Sequence, residues 1–115
     1  MPRSSAARAL TASAPVFAAL GDEVRLRLVT RLSEHGPLSI AKLTEGTDVT
    51  RQAVTKHLHV LEGAGLVRSS REGRENVWSL ERARLADARR HLDAISAQWD
   101  EAIDRLRAFV EDDAD

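Results

Sequence analysis

Six side chains between Arg51 and Glu62 fall on one arc of a helix at about 100° per residue: Arg51, Gln52, Thr55, Lys56, His59 and Glu62. The opposite arc collects Ala53, Val54, His57, Leu58, Val60, Leu61 and Ala64. The N-terminal half of the polar arc has no acid. Arginine matches the major-groove edge of guanine, glutamine that of adenine, and threonine a base edge or a thymine methyl, while lysine suits a phosphate. Thr50, just before the arc, is a good N-cap, and Val49 and Val54 sit at the two staple positions around it. A polar helix face is also what plain solvation produces, so the flanking elements have to decide the reading.

Other reactive chemistry is scarce. The chain has no cysteine and no tyrosine, and it shows no phosphate-cradling glycine loop and no paired acids in a plausible cleft, so an enzyme is not expected. The missing cysteines also remove disulfides and thiolate metal ligands, which is compatible with a cytoplasmic location. His57 and His59 are two apart on a helix and point to different sides, with His57 placed at the core edge. Asp87 and His91 are one turn apart and are the remaining candidates for a metal. Two ligands without further histidines nearby make a thin site, so no metal or other cofactor is expected.

The elements around the arc form a pattern. At 115 residues, with 43% hydrophobic and 30% charged residues, the chain is one globular domain with an aliphatic core. Residues 1–13 read as a flexible arm that lacks the apolar run of a signal peptide, and no stretch is long enough to span a membrane. Val16, Phe17 and Leu20 make a short helix stopping at Gly21. Asp22 caps the next helix, in which Arg25 reads as a structural arginine, and His35-Gly36-Pro37 ends it. Ser39 caps a very short helix from Ile40 to about Glu45, and Gly46-Thr47-Asp48 is a turn before the polar-faced helix. Short helix, turn and capped helix give the layout of a helix-turn-helix.

Leu66 to Arg71 and Asn76 to Leu80 follow as two strands around Glu72-Gly73-Arg74-Glu75, with Trp78 and Leu80 facing the core. Arg68, Arg71 and Arg74 make this hairpin a basic wing. Net charge is −1, yet Thr50–Arg74 holds five cations against two anions, and Asp100–Asp115 holds seven acids against two arginines. A neutral total therefore hides a basic middle. Leu85, Ala88, Leu92, Ile95, Trp99, Ala102, Leu106 and Phe109 then keep a 3-4-3-4 spacing. A helix of roughly 28 residues would run about 42 Å, too far for the small domain to cover its apolar stripe. The expected occupant is a second copy, helped by Phe17 and Leu20.

Phe17-Ala-Ala-Leu20-Gly-Asp22, Arg25-Leu-Arg-Leu28 and Gly36-Pro-Leu38-Ser39 resemble the opening of the arsenical-resistance-repressor (ArsR/SmtB) family of winged-helix regulators. TRQAVTKHLHVLEGAGLV, Thr50 to Val67, is similar to that family's recognition helix and first wing strand, and Arg71-Glu-Gly-Arg74 and Trp78-Ser-Leu80 continue the match. The resemblance covers Val16 to Leu80. It implies a homodimer that binds double-stranded operator DNA, usually as a repressor, and releases it on an inducer. By position it assigns Thr50, Arg51, Gln52, Thr55, Lys56 and His59 to the major groove, and Arg71 and Arg74 to the wing. Two departures stand out. Arg51 and Gln52 replace the family's frequent Gln and Pro or Ser, so operator preference is not inherited. Leu38 to Glu45, where many members carry metal-binding cysteines, has neither cysteine nor histidine.

The expectation is thus a mainly α winged helix-turn-helix over 14–80, a dimerisation helix over 81–110 and an acidic tail over 111–115. The alternatives are a winged-helix protein-interaction module without DNA contact, and a metal-responsive sensor using the last helix. An interaction module would favour an apolar or acidic face where this chain has a basic and polar one.

Overall fold

The computed structural model describes residues 5–113, with side chains over 11–112. The elements run α1 (Ser5–Leu20), α2 (Glu23–His35), β1 (Leu38–Ser39), α3 (Ile40–Glu45), α4 (Arg51–Gly63), β2 (Val67–Glu72), β3 (Glu75–Leu80) and α5 (Arg82–Asp113). Three helices begin where a side chain accepts one of the unpaired N–H groups of the first turn. Asp22 accepts from the Arg25 amide at 3.0 Å, Ser39 from Lys42 at 3.3 Å, and Thr50 from Ala53 at 3.1 Å. Gly36 ends α2 at φ 76°, a conformation that costs a glycine little, and its N–H bonds the Leu32 carbonyl.

The core is aliphatic. Leu28 and Leu32 of α2, Leu43 of α3, Val54, Leu58 and Leu61 of α4, and Leu66 after it converge with Val16, Val67 and Trp78. β3 is the central strand of the sheet, in the order β1-β3-β2. Trp78 is buried and Leu80 packs against the core, as their shared strand face requires.

Four features differ from the sequence reading. Residues 5–13, expected in a flexible arm, form the first half of α1. Alanine is the best helix former, and this stretch is alanine-rich. Ser13, Val16 and Ala19 are buried, α1 packs along α5, and the helix continues through Pro15. Residues 1–4 lie outside the described residues. Leu38 and Ser39 form a strand, pairing with Trp78 and Val77, so Ser39 both closes a sheet and caps α3. The first hairpin strand is shifted by one residue, to Val67–Glu72, and the second starts one residue earlier, at Glu75, leaving a two-residue loop of Gly73 and Arg74. Finally, α5 runs on to Asp113, so Glu111 and Asp112 are helical and not tail. These acidic residues stay helical because they continue an established helix, where each added residue brings one hydrogen bond.

Candidate nucleic-acid interface

The helix-turn-helix is α3, the turn 46–50 and α4. Its crossing is held from outside the motif. Arg31 of α2 donates from Nη1 to the Lys42 and Leu43 carbonyls at 2.9 and 3.0 Å, satisfying acceptors of α3. A Cβ on Gly46 would lie 1.9 Å from that same nitrogen, so the turn residue must be small for Arg31 to reach. Within the turn, Thr47 donates to the Thr44 carbonyl at 3.2 Å.

Arg25, read as a structural arginine, bonds a helix-end carbonyl, and His57 sits half-buried at the core edge as expected. Arg25 Nε donates to the Ala19 carbonyl near the end of α1 at 2.7 Å, and its Nη1 lies 3.4 Å from His57 Nδ1. The Asp22 carboxylate is 3.8 Å from the same imidazole nitrogen. The amide of Arg25 donates to Asp22 and holds its carboxyl below the usual aspartate range, aided by the nearby Arg25 and His57 side chains and opposed by burial. This cluster joins the α1 end, the α2 cap and the buried side of α4.

On the outer side of α4, Arg51, Gln52 and Lys56 are exposed. Thr55 is half-buried and its hydroxyl donates to the Arg51 carbonyl at 2.9 Å. It therefore offers outward a methyl group and an acceptor oxygen. Thr50 uses its hydroxyl oxygen as the helix cap. His59 leans towards the sheet: its ring meets Trp78 edge-on at 5.8 Å between centroids, and Nδ1 lies 3.5 Å from the Glu62 carboxylate.

The wing divides by strand period. Arg68 pairs with Ser79 and Arg71 with Asn76, three positions apart on β2, so they project from opposite faces. Arg68 is tied to Glu81 at 2.8 Å, at the base of the hairpin. Arg71 reaches the turn, donating from Nε to the Gly73 carbonyl at 3.4 Å. Gly73 has φ 64° and Arg74 a negative φ, the pattern of a II′ hairpin turn with glycine first. Glu72 and Glu75 face each other across the ladder and flank Arg74. The tip therefore carries two acids beside its two arginines. Glu75 lies one residue beyond the basic stretch Thr50–Arg74, and strand register brings it opposite Glu72.

The dimer candidates separate into two groups. Phe17, Leu20 and Leu85 are half-buried against the chain's own core, and with Leu80, Ala88 and Leu92 they border an apolar groove of about 470 Å³. Leu92, Ile95, Trp99 and Leu106 are 52%, 53%, 67% and 63% exposed, far more than large apolar side chains in a finished core. The metal candidates each have another partner. His91 Nδ1 lies 2.7 Å from Ser13 Oγ, and Asp87 is ion-paired with Arg90. Among the described residues no three histidines, aspartates or glutamates gather to hold a metal.

A capped recognition helix with an exposed Arg-Gln-Lys row beside a hairpin wing is the design of a winged helix-turn-helix DNA-binding protein. Comparison with known proteins agrees. Residues 20–70 match a family described as a helix-turn-helix domain. The chain is 35% identical over 97 residues to the HTH-type transcriptional regulator Rv2034 of Mycobacterium tuberculosis, covering 84% of this chain and 87% of that one. It is 32% identical over 94 residues to the HTH-type transcriptional repressor SmtB of the same species, covering 82% and 67%. An ArsR-like transcriptional regulator from Rhodococcus sp. RHA1 superposes with a TM-score of 0.74 at 36% identity, over 87% of this chain and 93% of that one. The chain belongs to the ArsR/SmtB family of winged-helix regulators. It is a DNA-binding transcriptional regulator and not an enzyme.

Proposed function

We propose that this regulator is a repressor that binds an inverted-repeat operator as a homodimer, with α4 of each protomer in a major groove and an inducer releasing the complex. The observation that carries it is the uncovered apolar stripe of α5. The radius of gyration is 19.5 Å, against about 13 Å for a compact domain of this length. The excess comes from a helix of 32 residues whose distal half extends past the domain with Trp99, Leu106 and Phe109 exposed. A second copy is the simplest cover, because a two-fold axis lays identical stripes together. The same axis would place two recognition helices on one side of the duplex, one helical turn apart.

In each protomer Arg51, Gln52 and Thr55, in the first turns of α4, are assigned to base edges. Lys56, Arg71 and Arg74 are assigned to phosphates. His59 meets the wing at Trp78 and Arg68 ties the base of the hairpin through Glu81, and both act on DNA through that geometry.

The test is selection of bound genomic DNA fragments by the purified protein, with light scattering on the same preparation. The expected result is a particle of twice the 12.7 kDa chain mass and an imperfect inverted repeat shared by the selected fragments. A monomer at micromolar concentration, or selected fragments without two-fold symmetry, would refute the reading.

A further inference from the structure

Two cavities lie on either side of the contact between α1 and α5. One is the apolar groove bordered by Phe17 and Leu85. The other, of about 300 Å³, has Ala12, Ser13 and Val16 on the α1 side and Arg84, Arg90 and His91 on the α5 side. It gathers Ser13, Arg84, Asp87, Arg90 and His91 on a lining that is otherwise apolar, and the stripe assigned to the dimer does not use it.

Its chemistry is directional. Asp87, also on its wall, is paired with Arg90, and those charges cancel. Arg84 has no carboxylate partner among the described residues. Arg84 therefore leaves the cavity with a positive charge that no carboxylate among the described residues offsets. Ser13 is buried, and its hydroxyl meets His91 Nδ1. Ala12 and Val16 add a small apolar surface. One guanidinium fork, one hydroxyl–imidazole pair and a short apolar wall match a monoanion with a short hydrocarbon body. The volume lies near the lower end of ligand sites, about 300–1,000 Å³, and suits a small ligand.

Arg84 also borders a groove formed by Glu62, Gly63 and Gly65 at the end of α4. A Cβ on Gly65 would lie 3.0 Å from Arg84 Cγ, so the arginine stem runs directly over this residue. Gly65 has φ +77°, which only glycine adopts without strain, and it joins the recognition helix to the wing. An anion that draws the Arg84 guanidinium into the cavity shifts the stem at that joint.

We infer that the cavity is a binding site for a small monocarboxylate, which bonds Arg84 and changes DNA affinity through the Gly65 joint. The inference deepens the proposed inducible regulation and rests on it. Carboxylate–arginine pairs are commonly bidentate, which gives the site its selectivity over spherical anions. Reciprocity requires DNA to alter carboxylate affinity by the same factor.

The test uses the full chain with sodium butyrate, hexanoate and benzoate, against sodium chloride and sodium phosphate at matched ionic strength. Melting temperature is read without DNA, and affinity is read on a selected genomic fragment. At least one carboxylate is expected to raise the melting temperature saturably beyond both controls and to change DNA affinity by about five-fold or more. Arg84→Gln should abolish both responses to carboxylate. Ser13→Ala, which removes one hydroxyl from a buried site, should weaken carboxylate binding about five-fold and serves if Arg84→Gln fails to fold. No carboxylate response beyond the controls, an equal response in both variants, a response to phosphate alone, or stabilisation without a change in DNA affinity overturns the inference. Because the melting arm contains no DNA, carboxylate binding by a protein that selects no DNA would instead refute the repressor reading.

Discussion

At the scale of single residues, the polar row of α4 is not uniform. Arg51 and Gln52 are exposed near the helix N-terminus, whereas Thr55 spends its proton on the Arg51 carbonyl and His59 turns towards Trp78. Arg51 and Arg74 should therefore fail differently. Arg51→Ala should cost about 1–3 kcal/mol against the operator and relax base preference locally. Arg74→Ala should weaken operator and scrambled duplex alike and flatten the salt dependence, because fewer counterions are released. Titrations on both duplexes at several salt concentrations separate the two, and the reverse pattern would overturn the division.

Asp22 offers a residue-scale test of stability. Its carboxyl is held low because it accepts the Arg25 amide, with the positive Arg25 side chain adding to this. A lowered folded pKa stabilises the fold above the free aspartate value of about 3.9, and that contribution is lost as pH falls through the folded pKa. Asp22→Asn keeps a capping oxygen but no charge. The parent should thus be the more stable protein at neutral pH, and the two should converge in acid. Urea unfolding of both from pH 7 to pH 3 checks this; a gap that widens in acid would refute it.

At the scale of elements, the tip of the wing sets two acids beside its two arginines. Register sets Glu72 opposite Glu75 beside Arg74, and sends Arg68 to the other face from Arg71. Like charges directly opposite on a ladder destabilise it, and both would repel a phosphate backbone. Glu72→Gln with Glu75→Gln should strengthen binding to any duplex and steepen the dependence of log K on log salt. Anisotropy on a scrambled duplex measures it, and unchanged affinity would show that the wing tip stays clear of DNA.

At the scale of the whole molecule, the long axis of 72 Å is set by α5. Ile95→Asp with Trp99→Asp would bury two unpaired charges in the proposed interface, and breaking an interface this way typically costs several kcal/mol. Monomers or aggregates with weakened operator binding are expected by light scattering and gel shift. A dimer of parent stability would place the interface elsewhere on the chain.

Local chemistry was readable from the residues alone. The caps at Asp22, Ser39 and Thr50, the stop at Gly36, the helix-turn-helix spacing and the α5 stripe all depend on neighbours within a turn or two, so periodicity and residue type sufficed. What needed the tertiary structure was contact between groups far apart in the chain. Pairing of β1 with β3, the hold of Arg31 on α3, the His59–Trp78 contact, and the burial of Ser13 against His91 are of this kind. The helical first half of α1 belongs with them. Its own apolar pattern was too sparse to announce a helix, and the packing of α1 along α5 supplies what the local sequence lacks. Side-chain type states which bonds a residue can form; only the fold decides which partner arrives, and whether an arginine meets a glutamate, a carbonyl or open solvent.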